Sequence, residues 1–151
     1  MVQYTSCPSP FGNVVIEWVD DAIVSLRLGE LDKCPVSSPV SKLATRQLQE
    51  YFSGSRKSFT FPIVLKGTPF QISVWQELSK IPYGQTATYK DIAMAIGNER
   101  AVRAVGMACN RNPIWIAIPC HRVMGSNGQL TGYAGGLSMK ESLLNLEAKY
   151  R

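Results

Sequence analysis

The sequence carries one histidine, His121, in 151 residues, and its four cysteines, Cys7, Cys34, Cys109 and Cys120, include no CxxC pair. A zinc site built from close-spaced Cys and His ligands needs both, so the sequence argues against one. No apolar run approaches the ~20 residues that span a bilayer, and no membrane contact is expected. No basic-then-apolar segment opens the chain, so the expectation is a cytoplasmic protein rather than a secreted one. A Cys7–Cys34 disulfide would need suitable geometry, and an intracellular compartment argues against it. With 45% apolar and 18% charged residues the composition is globular rather than disordered, and the modest charged content gives no sign of a high-temperature origin.

The formal charge is +5 and is uneven. Residues 1–69 hold seven basic and six acidic side chains, a net +1; residues 70–151 hold nine and five, a net +4. That bias suits a C-terminal half that meets a polyanion.

The pattern divides the chain into lobes at residues 1–66 and 67–151. In the first, Val2–Cys7, the β-branched run Val14–Val19 and the alternating Ile23–Leu28 predict an antiparallel meander of three strands. Asp20-Asp21 supplies a turn. Ser41–Phe52 has helical spacing, and Phe59–Leu65 reads as a short extended edge segment because Pro62 lacks an N–H. This lobe shows no chemistry and is expected to be structural. In the second, Thr68, Pro69 and Gln71 form a capping box opening a helix with Phe70, Val74, Trp75 and Leu78 on one stripe. Thr88 with Asp91 starts another helix, which Gly97 closes. Asn98 is expected to cap a third helix over Glu99–Ala108. Two short helices joined through a glycine, the second holding Arg100 and Arg103 among small residues such as Ala101, Ala104 and Gly106, read as a helix-turn-helix. Ser138 with Glu141 predicts a capping box for the last helix, on which Glu147 stands one position from the apolar stripe of Met139, Leu143 and Leu146. The fold class is therefore α/β of the α+β kind.

The chemistry concentrates at Ile118-Pro119-Cys120-His121-Arg122-Val123. Ile114–Ile118 reads as a buried strand ended by Pro119, which places Cys120 and His121 on a turn at its mouth. A thiolate is the nucleophile, and a base or aimed donors can supply it. His121 and Arg122 are costly to bury without a polar purpose. Downstream lie the tight turn Ser126-Asn127-Gly128 and the flexible loop Gly132-Tyr133-Ala134-Gly135-Gly136.

Pro119-Cys120-His121-Arg122-Val123, with Asn112-Pro113 upstream and Gly132–Gly136 downstream, resembles the O6-alkylguanine-DNA alkyltransferase (methylated-DNA–protein-cysteine methyltransferase) family. The resemblance covers about Thr68 to Glu147 and extends to Thr88-Tyr89 and Arg100–Gly106 in the recognition-helix region. It implies irreversible, single-turnover transfer of an alkyl group from O6-alkylguanine, and also O4-alkylthymine, in duplex DNA to Cys120. A base inside a stacked duplex cannot be reached, so the nucleotide is flipped out. The resemblance places the second helix in the minor groove, where readout is degenerate, with Thr88, Tyr89, Ala101, Arg103 and Gly106 against DNA and Arg103 in the vacated stack. It gives His121 the thiol proton through a water, Glu147 the orientation of the imidazole, Asn112 the network near the turn, and Tyr89 the 3′ phosphate and a hydrogen bond to the base. Cys120, Val123, Tyr133 and Ala134 then line the base pocket, with Cys120 and Val123 carbonyls reading the guanine amino group and the Ala134 N–H facing O6. No cofactor and no metal are implied; the zinc site of some relatives uses N-terminal histidines that this chain lacks. The expected partner is alkylated double-stranded DNA, bound by a monomer in the cytoplasm on the nucleoid, or in the nucleus of a eukaryote. Two departures stand out. Ala134 sits where some relatives have serine, and Trp115 is bulky where others have smaller residues, which would exclude large alkyl groups if its ring faces the pocket. Other readings remain: a non-enzymatic binder of damaged DNA, a helix-turn-helix regulator, or a cysteine hydrolase.

Overall fold

The computed structural model describes all residues, Met1–Arg151. The chain divides into two compact units, Met1–Leu65 and Lys66–Arg151.

In the first unit, β1 (Gln3–Ser9), β2 (Gly12–Val19) and β3 (Ala22–Leu28) form an antiparallel sheet in sequence order, with a register shift at Glu17/Trp18. The meander read from the sequence is present. Helix α1 (Pro39–Phe52) packs against all three strands. It begins two residues before the expected start, because Ser38 and Ser41 exchange side-chain-to-backbone hydrogen bonds and Pro39 occupies the first turn. Trp18, Ile16, Ile23, Leu26, Leu48 and Tyr51 form the buried centre. Phe59–Leu65 does not become a strand. It makes one parallel bridge, Ile23↔Ile63, through Ile23 N–H to the Pro62 carbonyl (2.8 Å) and Val64 N–H to the Ile23 carbonyl (3.0 Å). The next rung toward the N-terminus would need an N–H that Pro62 lacks. Cys7 and Cys34 are free thiols, one buried and one exposed.

In the second unit, α2 (Pro69–Leu78) and α3 (Tyr89–Ala95) both carry the capping boxes read from the sequence, at Thr68/Gln71 and Thr88/Asp91. Helices α2, α3 and α4 (Val102–Asn110) pack on one another, and the indole N–H of Trp75 donates to the Ala108 carbonyl at 2.9 Å. Gly97, at φ +81°, closes α3 as expected. The start of α4 differs from expectation. Asn98–Ala101 forms a turn in which Ala101 N–H bonds the Asn98 carbonyl (3.0 Å), so the helix begins at Val102 without a side-chain cap and Arg100 lies outside it. The last helix, α5 (Leu137–Tyr150), also starts early. Gly136, at φ +96°, is its N-cap and Ser138 lies inside it, so the expected Ser138 box does not form.

The largest revision concerns Ile114–Ile118. Ile114, Ile116 and Ile118 are buried alternately, as in a strand, yet the segment is a tight loop. Ile118 N–H returns to the Ile114 carbonyl (3.0 Å), Ala117 N–H to the Trp115 carbonyl (2.8 Å), and Ile116 takes φ +74°. A β-branched residue in the left-handed region is strained by roughly 1–2 kcal/mol. Its side chain, 2% exposed, offsets that by burial. After the loop a single 3-10 turn, Cys120–Arg122, leads into β5 (Val123–Met124), which pairs in parallel with β4 (Ala87–Thr88) at the start of α3.

Candidate active site

Pro119, at φ −82° and ψ 62°, turns the chain so that Cys120 N–H bonds the Ile118 carbonyl at 2.8 Å, an inverse γ-turn. Arg122 N–H then bonds the Pro119 carbonyl at 3.0 Å. Cys120 and His121 thus sit in a 3-10 turn rather than on extended chain, and their side chains still diverge, by about 120°. Asn112 holds the turn from inside the unit. Its Nδ2 donates to the Ile118 carbonyl (2.8 Å) and to Cys120 Sγ (3.2 Å), while its Oδ1 accepts from Ile114 N–H (2.9 Å). Cys120 is buried, and burial pushes its thiol up to about 11; the Asn112 hydrogen bond and the Lys140 charge pull the other way.

His121 and Glu147 are both fully buried. His121 Nε2 lies 2.7 Å from Glu147 Oε2. Arg122 grips the same carboxylate through Nε to Oε1 (2.8 Å) and Nη2 to Oε2 (3.0 Å), and Gly84 N–H adds a bond to Oε1 at 3.1 Å. Arg122 Nη1 also donates to the Ile81 carbonyl at 2.7 Å. Burial by itself would raise the Glu147 carboxyl. The hydrogen bonds and charges of His121 and Arg122 outweigh it and hold the group well below the usual carboxylate range. Burial lowers His121, against the pull of Glu147, so the imidazole is neutral. An ionised Glu147 accepts from Nε2–H, which leaves the lone pair on Nδ1. That nitrogen has no partner within the protein. The ensemble is a buried thiol beside a neutral, oriented imidazole whose acceptor atom is open.

Of the remaining sequence-selected residues, Tyr89, Arg103, Gly106, Tyr133 and Ala134 line two depressions along α4, and Thr88, Ala101 and Val123 line neither. Tyr89, Arg103, Gly106, Thr131 and Gly132, with Val102, Met107 and Asn110, line a depression of about 310 Å³ on the exposed side of α4. A second, of about 530 Å³, shares Met107 and Asn110 and adds Arg111, Tyr133 and Ala134. Gly106 faces Tyr89, with 4.0 Å between the position of a Cβ and the ring. Thr88 spends its hydroxyl on the α3 cap, accepting from Asp91 N–H at 3.0 Å. Ala101 is the N-cap of α4, and Val123 is buried at the start of β5. The Tyr89 hydroxyl donates to the Thr131 carbonyl at 3.0 Å. Tyr133 is buried, its hydroxyl has no partner within the protein, and burial pushes that hydroxyl far up. Trp115 packs on Tyr133 with ring centroids 5.9 Å apart. Both rings crowd Gly135, where a Cβ would lie 2.9 Å from Tyr133 and 3.2 Å from Trp115.

Sequence reasoning assigned no role to two participants. Arg122 was marked only as costly to bury; its pairing with Glu147 needed the fold. Lys140 carries no mark in the sequence, yet it is fully buried. Its signal was spacing: Lys140, Leu143 and Glu147 fall at i, i+3 and i+7 on one face of α5.

Two family models match the chain: the DNA-binding domain of 6-O-methylguanine DNA methyltransferase over residues 69–149, and its ribonuclease-like domain over residues 2–65. The constitutive methylated-DNA–protein-cysteine methyltransferase of Bacillus subtilis is 46% identical, covering 97% of this chain and 96% of that protein. The corresponding protein of Methanosarcina barkeri is 62% identical over 104 residues, which span 69% of this chain and 66% of that one. The crystal structure of Mycobacterium tuberculosis OGT in complex with DNA superposes with a TM-score of 0.90 at 40% identity, covering 98% of this chain and 94% of that one. Matched end to end in sequence and in fold, the chain belongs to the 6-O-methylguanine DNA methyltransferase family.

Proposed function

We propose that the protein repairs alkylated double-stranded DNA by taking the alkyl group from O6 of guanine, and from O4 of thymine, onto Cys120. The observation that carries this reading is the buried Cys120 thiol, held by Asn112 and adjoining a neutral His121 oriented by Glu147. The thiol proton passes through a water to His121 Nδ1, and Glu147 stabilises the imidazolium that forms. Sulfur attacks the alkyl carbon; the S–C bond forms as the C–O6 bond breaks. The charge developing on guanine is stabilised by a hydrogen bond from Tyr89. The base then takes up a proton from solvent and the imidazolium of His121 returns its proton to water, so the products are unmodified guanine and an S-alkylcysteine. A thioether has no good leaving group, so each molecule acts once.

Delivery of the base rests on α4 and the 131–134 segment. Arg103 and the small residues Ala101 and Gly106 bring α4 into the minor groove, Thr88 and Tyr89 meet the backbone, and Arg103 fills the space of the flipped nucleotide. Tyr133, the Ala134 N–H and the carbonyls of Cys120 and Val123 receive the base. The protein works as a monomer in the cytoplasm on the nucleoid, or in the nucleus of a eukaryote.

Intact-protein mass spectrometry after mixing with duplex DNA carrying one O6-methylguanine tests the reading. A gain of one methylene, mapped to Cys120 and absent in Cys120→Ser, is expected. Tight binding with no mass change would replace it with a damage-binding function.

A further inference from the structure

Glu147 is held from two parts of the chain. His121 and Arg122 reach it from the turn that carries Cys120. Gly84 reaches it from the segment that follows α2, its N–H 3.1 Å from Oε1. Gly84 lies in a turn closed by Gln85 N–H to the Pro82 carbonyl at 3.1 Å. Its φ is +77°, while Tyr83 before it keeps a negative φ. That combination is a type II turn, whose third residue needs the left-handed region and is therefore glycine or asparagine.

The turn type decides which way the peptide between Tyr83 and Gly84 faces. Types I and II differ by roughly half a revolution of that central peptide. In the type II turn its N–H meets the carboxylate. In a type I turn the Tyr83 carbonyl would face Oε1 instead, an acceptor against an anion. A residue with a Cβ favours type I, because the left-handed region costs it about 1–2 kcal/mol. The same segment also holds the cation. Arg122 Nη1 donates to the Ile81 carbonyl at 2.7 Å, and the guanidinium stands 5.7 Å from the centroid of the Tyr83 ring. Four residues thus meet both members of the buried ion pair, with a carbonyl for the cation and an N–H for the anion.

We infer that Gly84 is a positioning residue for the methyl transfer: its left-handed turn aims an N–H at Glu147 Oε1, and so keeps Oε2 on His121 Nε2 and the lone pair of Nδ1 toward the thiol proton. The inference rests on the alkyl-transfer reading. Gly84 acts through Glu147 and touches neither the thiol nor the base. Arg122 is no substitute for it. Arg122 follows His121 in the same turn and moves with it, whereas Gly84 fixes the carboxylate from outside that turn. A Cβ at position 84 would also lie 2.8 and 2.9 Å from Cδ and Cγ of Arg151, whose Nη1 donates to the Gly84 carbonyl at 3.3 Å. That contact is separable from the dihedral, because Arg151→Ala clears it.

His121 is the sole histidine, so 15N NMR shows one imidazole, and the shifts of its two nitrogens give the tautomer. Gly84→Ala and Gly84→Asn are each made together with Arg151→Ala, and Arg151→Ala by itself is the baseline. The second readout is single-turnover methylation of Cys120 by duplex DNA carrying O6-methylguanine. Gly84→Ala should mix the Nε2–H tautomer with the other one. It should also slow transfer at saturating DNA by about tenfold or more, since a misplacement of about 1 Å can cost a hundredfold, with DNA affinity unchanged. Gly84→Asn, which accepts the left-handed region, should recover most of both losses. Equal losses in the two variants overturn the inference. So does a Gly84→Ala protein that loses urea stability while its folded form keeps the tautomer and the rate, the mark of a glycine needed for folding only. Should Gly84→Ala fail to fold, hydrogen exchange in wild type decides: an amide bonded to a buried carboxylate exchanges slowly, and an unprotected Gly84 amide overturns the inference. The tautomer needs no DNA, so a failure of methyl transfer in wild type would count against the proposed function while the imidazole spectrum still judges Gly84.

Discussion

The two units bury different things. In Met1–Leu65 the buried polar side chains are Ser41 and Gln47, both neutral and both hydrogen-bonded within the unit; in Lys66–Arg151 they are Asn112, His121, Arg122, Lys140 and Glu147. Gln47 ties Thr60 through both ends of its amide, at 2.6 and 2.9 Å, and so fixes the segment that follows α1. That is polarity in the service of shape. The C-terminal unit buries charge instead, which is weak evidence for stability and common where chemistry is done. The contrast teaches which unit carries the reaction, without reference to any motif.

The contrast can be broken most severely at Glu147. Glu147→Ala leaves Arg122 and His121 buried without their carboxylate, and removing one partner of such a network costs about 3–5 kcal/mol. Urea unfolding should show that loss, and Cys120 methylation should fall with it.

Acid sharpens the comparison. The folded-state pKa of Glu147 is depressed below its ordinary 4.5, so its stabilisation is present above that value and drains away as the pH falls toward the folded pKa. His121 is depressed below 6.5 when folded, so the unfolded chain takes up the proton first, and stability declines as the pH drops through that value. Both effects have the same sign. Urea midpoints measured from pH 7 to pH 3 should fall in wild type and fall less in Glu147→Gln, which no longer titrates at 147. Parallel slopes in the two proteins would contradict this.

Trp115→Ala acts on selectivity. The indole packs on Tyr133 beside Gly135, so its removal should speed transfer from O6-benzylguanine relative to O6-methylguanine in duplex DNA. An unchanged ratio of the two rates would place the ring outside the pocket. The smallest effect is expected in the neutral unit. Gln47→Ala should cost about 1–3 kcal/mol, the net worth of its two hydrogen bonds to Thr60, and leave methylation of Cys120 unaltered.

Much of the fold was legible because local rules agree with it. β-branched runs separated by turns became β1–β3, and the boxes at Thr68 and Thr88 start α2 and α3 where the spacing placed them. The illegible parts share a cause: local patterns that two backbones satisfy equally. Alternating burial at Ile114, Ile116 and Ile118 serves a doubled-back loop as well as a strand, and only the left-handed φ at Ile116 distinguishes them. Asn98 is a good cap residue, yet a backbone bond to its carbonyl made a turn there instead. Within the site, Cys120, His121 and Asn112 could be chosen from sequence because their chain neighbours are unusual. Arg122 and Lys140 owe their importance to partners 25 and 9 residues away, a carboxylate and a carbonyl, and no local pattern reports those.

The loop at Ile116 has a consequence for how this sequence can change. Its backbone is adopted most cheaply by glycine or asparagine, whereas its surroundings accept a branched hydrocarbon. No single substitution meets both demands: glycine relaxes the dihedral and empties the space, and valine fills most of the space and keeps the strain. Drift at this position therefore needs a second change nearby, and the residues beside it set the geometry of Cys120. Variation in the immediate approach to the thiol should arrive in pairs.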